Sequence, residues 1–336
     1  MSDRLAVVGA GAWGTTLAIM LANAGRAVSL WAHTAAARDE LNTQRENRRY
    51  LPGVPFPDGL DVAGADTDLA MAGSGVVLAV PSAHLRSTLR HLRERLDRTA
   101  PLLSVVKGIE ADTHLRPSEV IAAELPEARV AALSGPNLAR EIAAGKPAGS
   151  VVASEDEALA ARFAEMLGSD RFRVYTNPDL VGVELAGALK NVIALAAGMA
   201  DGLQLGDSAK AGIVTRGLAE MTRLGVAAGA DQRTFAGLAG VGDLIATCTS
   251  ALSRNRRAGE LIGSGLPWTD ASARIEGVAE GVTTVRGALS LAAAHGVELP
   301  IAEQVSAVLH EGRSPAAGVA ALMGRVQKDE LAGLRR

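Results

Sequence analysis

Residues 5–31 read LAVVGAGAWGTTLAIMLANAGRAVSLW, and this stretch decides the fold. Leu5 to Val8 is a short apolar run that ends directly in Gly9-Ala10-Gly11-Ala12-Trp13-Gly14. A helical pattern follows, with Leu17, Ile19, Met20 and Leu21, until Asn23-Ala24-Gly25 stops it. A second apolar strand, Ala27 to Trp31, comes next. In a chain with 37 glycines a GxGxxG hexapeptide alone says little. Between a strand and a helix, inside a unit of about 30 residues, it marks a dinucleotide site. Glycines let the backbone approach a pyrophosphate, which then sits on the N-terminus of the helix. A tight turn with close helix–strand packing would account for one of the glycines but not for three.

The carboxylate expected at the end of the second strand, to hold a ribose 2′-hydroxyl, is missing. The strand runs into Ala32-His33-Thr34, with Arg38 four residues on. Nothing there repels a 2′-phosphate, and His33 or Arg38 could reach one, so NADP is tolerated or preferred over NAD. The competing reading is that His33 merely caps the strand.

Further strands are expected at Val76–Val80, Leu102–Val106, Val130–Leu133, Val151–Ala153 and Phe172–Tyr175, with helices such as His84–Leu96 and Glu157–Leu167 between them. Such alternation predicts an α/β domain, a Rossmann-type, doubly wound, mostly parallel sheet over residues 1–180. Val105-Val106-Lys107-Gly108 and Ser134-Gly135-Pro136-Asn137 stand at carboxyl ends of strands, where such folds bind ligands. From Val181 onward only helical periodicity is found, which predicts an all-α domain over residues 181–336. Its candidate helices are Val183–Ala200, Ala209–Ala228, Arg256–Ile262, Gly281–His295, Ile301–His310 and Ala316–Gly324.

The first of these helices, ELAGALKNVIALAAGMAD at 184–201, is apolar nearly all round, and so is expected to be buried. It carries one cation, Lys190, beside Asn191. A buried ammonium needs a partner. Either Lys190 snorkels or pairs with an acid for structural reasons, or it is a catalytic lysine whose pKa is tuned by burial. Asp243, in the glycine-rich Gly240-Val241-Gly242-Asp243, could orient it. Ser253-Arg254-Asn255-Arg256-Arg257 places a good N-cap and three arginines at a helix start, which suits a phosphate. An ordinary solvated face with an Arg256–Glu260 pair reads equally well.

Composition bounds the rest. The 336 residues include 48% hydrophobic and 21% charged, with a net charge of −3, so no global field points to nucleic acid or an anionic membrane. The single cysteine, Cys248, leaves no disulfide framework and fits a reducing compartment such as the cytoplasm. Six histidines show no metal-ligand pairing, so no metal is expected. No apolar run is read as reaching the roughly 18 to 20 residues of a membrane span, and the N-terminus is read as a strand, not a leader.

Seven blocks now carry a resemblance. They are GAGAWGTTLA (9–18), SVVKGIE (104–110), LSGPNLAREIAAG (133–145), ELAGALKNVIALAAGMADG (184–202), KAGIVTRGLAEMTRLG (210–225), AGVGDLIATCTSALSRNRRAGE (239–260) and EGVAEGVTTV (276–285). In order and over essentially the whole chain, they resemble the bacterial NAD(P)-dependent sn-glycerol-3-phosphate dehydrogenases. The resemblance implies reversible reduction of dihydroxyacetone phosphate to sn-glycerol 3-phosphate, feeding glycerophospholipid synthesis, with Lys190 as the acid–base residue held by Asp243 and Asn191. It implies substrate contacts from Lys107, Gly135, Asn137, Asp243, Ser253, Arg254 and Asn255. Cofactor contacts are implied for Gly9, Gly11, Ala12, Trp13, Gly14, His33, Lys107, Ala139, Arg254, Val278 and Glu280. Two positions depart from the pattern: Asn137 stands where Ser or Thr is common, and Ala12 where Ser is common, so Ala12 can offer only its backbone. A related two-domain dehydrogenase acting on another hydroxy acid or sugar acid is the nearest alternative, and Cys248 would be its nucleophile in a nucleotide-sugar enzyme. Isolated between Thr247 and Thr249, Cys248 reads better as a small core residue. A cofactor-sensing module would not need Lys190, Asp243 and the arginines. The sequence does not set the oligomeric state; a homodimer is carried as the expectation.

Overall fold

The computed structural model describes residues 4–64, 75–96, 99–327 and 329–330. The chain divides into two units, Met1–Val106 with Pro117–Leu180, and Lys107–Arg116 with Val181–Arg336. The ten residues from Lys107 thus belong with the helical unit, although they follow a strand of the other.

The first unit is built on one eight-stranded sheet: β1 Arg4–Val8, β2 Ala27–Trp31, β3 Leu60–Ala63, β4 Gly75–Leu78, β5 Leu102–Ser104, β6 Val130–Ser134, β7 Ala148–Ala153 and β8 Phe172–Asn177. Their order is β3-β2-β1-β4-β5-β6-β7-β8. Every neighbouring pair is parallel except β6 with β7. The chain winds outward from β1 in one direction and then from β4 in the other, so the switch point lies at β1, whose carboxyl end runs into the glycine turn. Leu5, Val7, Val28, Leu30, Val77 and Leu103 are fully buried or nearly so, as strands covered on both faces require. β3 and the helix Ala35–Gln44 have no counterpart in the sequence reading. The helix expected over His84–Leu96 is a 3₁₀ turn, Ser82–His84, followed by Leu85–Leu92.

Among the described residues no strand follows Asn177. The second unit is organised round the Leu180–Gly202 helix, buried along nearly its whole length. Packed into the same core are parts of Asp207–Ala227, Asp243–Thr249, Arg254–Gly263, Gly281–Ala294 and Pro300–His310. Two of these helices touch through glycines. A Cβ on Gly198 would meet the Arg256 carbonyl oxygen at 1.9 Å, and one on Gly202 the Glu260 oxygen at 2.2 Å. Reciprocally, a Cβ on Gly259 would meet the Leu195 oxygen at 2.0 Å, and one on Gly263 the Met199 oxygen at 2.4 Å. The lysine helix and the arginine helix therefore pack backbone against backbone, which only glycine permits.

Contrary to the sequence expectation, Leu180–Gly202 is long and apolar enough to cross a membrane, with a mean hydropathy of 1.6 over its best window. In the structure 89% of that window is buried inside the protein, and a core helix meets the same criterion for that reason.

Candidate active site

In the first unit the three glycines of the turn do three different jobs. Gly9 has φ +116°, and a Cβ there would meet the Ala79 carbonyl oxygen at 2.5 Å. A Cβ on Gly14 would meet the Gly9 oxygen at 2.0 Å, so helix Ala12–Asn23 sits directly on the strand end. Gly11 has open space where its Cβ would be, which makes it the place where a ligand can approach the backbone. The helix begins at Gly11 with no side-chain cap and no acid in its first turn, so its first N–H groups and positive dipole end stay available to an anion. The turn is braced by Asn47, whose amide donates to the Ala10 oxygen at 2.9 Å and to Thr15 Oγ1 at 2.8 Å. These features fit the pyrophosphate of a dinucleotide.

Of the other residues expected around a cofactor or substrate in this unit, Ala12 and Trp13 lie in the helix after β1, and the rest fall after β2 and β6. Trp13 packs against Phe172, with ring centroids 6.4 Å apart. His33 is exposed beyond the end of β2, its ring 6.3 Å from Trp31, and Thr34 rather than His33 caps the helix that follows. Arg38 pairs with Asp39 at 2.9 Å. Gly135 has φ +145° and lies against Ser150, where a Cβ would meet Cα at 3.0 Å. Asn137 donates to Ser150 Oγ at 3.1 Å, which itself donates to the Ser134 oxygen at 2.9 Å. Asn137 Oδ1 is buried with no donor among the described residues. Ala139 opens a short helix, and its carbonyl accepts from Thr16 of the turn's helix at 3.3 Å.

The second unit brings together the titratable core. Lys190 is 6% exposed, and its Nζ donates to Asp243 Oδ1 and to Thr247 Oγ1, both at 2.6 Å. Lys107 donates to the other oxygen of the same carboxylate, also at 2.6 Å. Asp243 is 1% exposed. Burial alone would raise its carboxyl, but the two ammonium groups more than offset that and hold it below the ordinary range. Lys190 is driven the other way. Burial lowers it most, Asp243 pulls back upward and the Lys107 ammonium pushes down again, which together leave it at about 8. Lys190 therefore both pairs with an acid and titrates close to neutrality.

Asn191 does not hold Lys190. Its amide donates to the Lys107 carbonyl at 3.0 Å and, more weakly, to the Gly187 carbonyl at 3.4 Å. Its oxygen accepts from Asn255 at 2.9 Å, and Asn255 in turn accepts from the Gly281 N–H at 2.9 Å. This chain links the helix start beside Glu280 to the residue that carries the second ammonium. Ser253 is the N-cap, its hydroxyl accepting from the Arg256 N–H at 3.2 Å. Arg254 lies beside Gly277, where a Cβ would meet its guanidinium at 2.6 Å, and the half-exposed Val278 follows in the same loop. Arg256 is engaged elsewhere, with Asp201 at 2.7 Å and Glu260 at 3.3 Å, while Lys210 takes the other Asp201 oxygen at 2.5 Å.

Thr247 escaped the sequence reading. It stands one helical turn after Asp243, so the two share a face, a spacing that could have pointed to it. Cys248 is fully buried and its thiol is pushed up to about 12 by burial, the opposite of a nucleophile's environment. Among the described residues no group of three or more His, Cys, Asp or Glu is placed to hold a metal.

A dinucleotide turn at the switch point of a doubly wound sheet, with a helical unit carrying a lysine–aspartate–lysine core, defines a two-domain NAD(P)-dependent oxidoreductase. Comparison with known proteins narrows the class. Residues 4–160 match the family model of the NAD-dependent glycerol-3-phosphate dehydrogenase N-terminus, and residues 179–320 that of its C-terminus. The chain is 50% identical to a glycerol-3-phosphate dehydrogenase [NAD(P)+] of Thermobifida fusca over 335 residues, covering 98% of this chain and 99% of that one. It is 48% identical to the Streptomyces coelicolor enzyme of the same name over 97% of this chain and 98% of its relative. A crystal structure of glycerol-3-phosphate dehydrogenase from Coxiella burnetii superposes with a TM-score of 0.93 at 38% identity, covering 96% of this chain and 99% of that one. The chain belongs to the NAD-dependent glycerol-3-phosphate dehydrogenase family.

Proposed function

We propose that Lys190 is the proton donor in the reversible reduction of dihydroxyacetone phosphate to sn-glycerol 3-phosphate. The observation that carries this is its setting: a lysine 6% exposed, brought to about 8, and fixed by two 2.6 Å hydrogen bonds. At pH 7 it is an ammonium close enough to its pKa to give up a proton. When bound, the nicotinamide supplies the hydride in one direction and takes it back in the other. Lys190 stabilises the negative charge developing on the carbonyl oxygen and then protonates it. Asp243 and Thr247 fix the ammonium so that it needs no reorganisation during the reaction. Lys107 adds a second positive charge beside the same carboxylate.

The remaining assignments rest on the family resemblance, with support from the residues' settings. Arg254, at a helix start capped by Ser253, suits the substrate phosphate and a cofactor contact. Asn255 spends its oxygen on Gly281 and one N–H on Asn191, which leaves one N–H for substrate. The unpartnered oxygen of Asn137 suits a substrate hydroxyl, and Gly135 lets the backbone come close. Gly9, Gly11, Ala12, Trp13, Gly14, His33, Ala139, Val278 and Glu280 are assigned to the cofactor. With no acid after β2 and an exposed His33, NADPH is favoured over NADH. We assign the product to glycerophospholipid synthesis, the protein to the cytoplasm and its assembly to a homodimer.

The test is oxidation of NADPH and of NADH with dihydroxyacetone phosphate, using unphosphorylated dihydroxyacetone as control. Wild type is expected to turn over only the phosphate ester, faster with NADPH. Lys190→Ala is expected to bind cofactor and fold normally but to lose turnover, and normal turnover in that variant would remove the proposal.

A further inference from the structure

The segment Lys107–Arg116 leaves the sheet unit and belongs to the helical one. It closes on itself, the Glu110 N–H donating to the Leu115 carbonyl at 3.0 Å and the His114 N–H to the Glu110 carbonyl at 2.9 Å. The Thr113 hydroxyl donates to the Glu110 carboxylate. Its middle is sunk into the helical core: Ile109 is 1% exposed and lies so close to Gly287 that a Cβ there would meet it at 2.8 Å.

Its two ends are tied to one helix. At the first, Asn191 donates to the Lys107 carbonyl at 3.0 Å. At the second, Arg116 Nη1 donates to Glu184 Oε2 at 2.7 Å, with the Glu184 side chain 1% exposed and that of Arg116 16% exposed. Glu184 and Asn191 are seven residues apart on the Leu180–Gly202 helix, two turns along one face. The segment is thus a strap pinned at both ends to the helix that carries Lys190. The Arg116–Glu184 pair has no part in binding substrate or cofactor as assigned above.

We infer that the Arg116–Glu184 ion pair is a positioning device: it clamps the strap so that the Lys107 ammonium stays on Asp243, beside Lys190. The inference rests on Lys190 being the proton donor. A merely structural pair would stabilise the strap without touching the chemistry. A positioning pair has a further effect, because the groups facing Lys190 are Asp243, Lys107, Thr247 and Cys248. Release of the strap takes Lys107 away from the shared carboxylate and removes the like charge that opposes the Lys190 ammonium. Asp243 is then left to Lys190 alone.

The experiment compares three variants with wild type in the direction of dihydroxyacetone phosphate reduction, across pH, with thermal melts and circular dichroism alongside. In Glu184→Gln, and in the double variant Arg116→Gln/Glu184→Gln that leaves no uncompensated buried charge, kcat at neutral pH is expected to fall by as much as about a hundredfold. The loss of activity at high pH is expected to move upward by about one pH unit, since a nearby like charge has gone. Arg116→Lys, which keeps the pair, is expected to recover most of the rate and the original pH dependence. The inference is overturned if the double variant folds and keeps the wild-type kcat, or if its rate falls while its pH dependence stays where it was. Collapse of wild-type turnover in Lys190→Ala is read separately, so failure of the parent reading and failure of the strap cannot be confused.

Discussion

Asp243→Asn isolates the central electrostatic idea. The amide keeps the shape of the carboxylate but withdraws the charge that Lys190 and Lys107 share at 2.6 Å each. Removing one partner of a buried ion pair costs about 3–5 kcal/mol. Borne by the Lys190 ammonium, that is about two to four pH units of lowered pKa at about 1.36 kcal/mol per unit. Lys190 starts at about 8. In the variant it therefore titrates below neutrality, and at pH 7 the neutral amine replaces the ammonium. The fraction still able to donate a proton falls by about tenfold to a thousandfold. The assay is the pH–rate profile for NADPH-dependent reduction from pH 5 to 9, on protein shown by circular dichroism to be folded. Wild-type reduction is expected to decline as pH rises through about 8. The variant should be nearly inactive at pH 7 and regain rate as the pH is lowered. A folded variant with near wild-type kcat and an unmoved decline would refute the reasoning.

Arg254→Ala is expected to raise KM for dihydroxyacetone phosphate by at least about tenfold, the scale of one lost charge-assisted contact of about 1.5–3 kcal/mol; initial-rate kinetics check it, and an unchanged KM would dissolve the phosphate assignment. Gly11→Ala and Gly14→Ala should separate ligand approach from packing. Gly11 has φ −77° and open space, so its alanine variant should melt like wild type yet bind NADPH weakly by titration calorimetry. Gly14→Ala forces a 2.0 Å clash with Gly9 and should lose both stability and binding. Glu220 is buried, accepts from the Ile301 N–H at 2.8 Å, and is raised by burial from 4.5 to about 7. Between those pH values the folded protein holds a proton that the unfolded chain has released, so its stability is full at low pH and declines as pH rises to 7. Glu220→Gln should match wild type at pH 4.5 and melt higher at pH 8, by up to about 3 kcal/mol; equal melting temperatures at pH 8 would count against it.

The parts of this protein written in local pattern could be read from its sequence. The glycine turn lies between two apolar strands, the break at Asn177-Pro178 precedes purely helical periodicity, and Ser253 stands where an N-cap should. β3 could not be read, since LDVA at 60–63 is too short to show a period and gains its identity only by pairing with β2. Ala35–Gln44 has too few apolar residues to mark a buried face, with Leu41 its one buried residue. The core of the site was half visible. A lone lysine in an apolar helix announces that a partner exists, yet the partner lies 53 positions away and is chosen by tertiary packing. Asn191 beside Lys190 looked like its holder, but successive helical residues point about 100° apart, and its amide reaches Lys107 instead. The return of Lys107–Arg116 to the helical unit carries no periodic signal at all, because a strap is defined by what it is tied to.

The four glycines between the lysine and arginine helices have one more consequence. Lys190 and Arg254 belong to helices that meet at Gly198, Gly202, Gly259 and Gly263 without side chains in between. The separation of the two helix backbones is therefore set by main-chain thickness, a quantity that no rotamer change can alter. Any change in that separation has to move a whole helix, not a side chain.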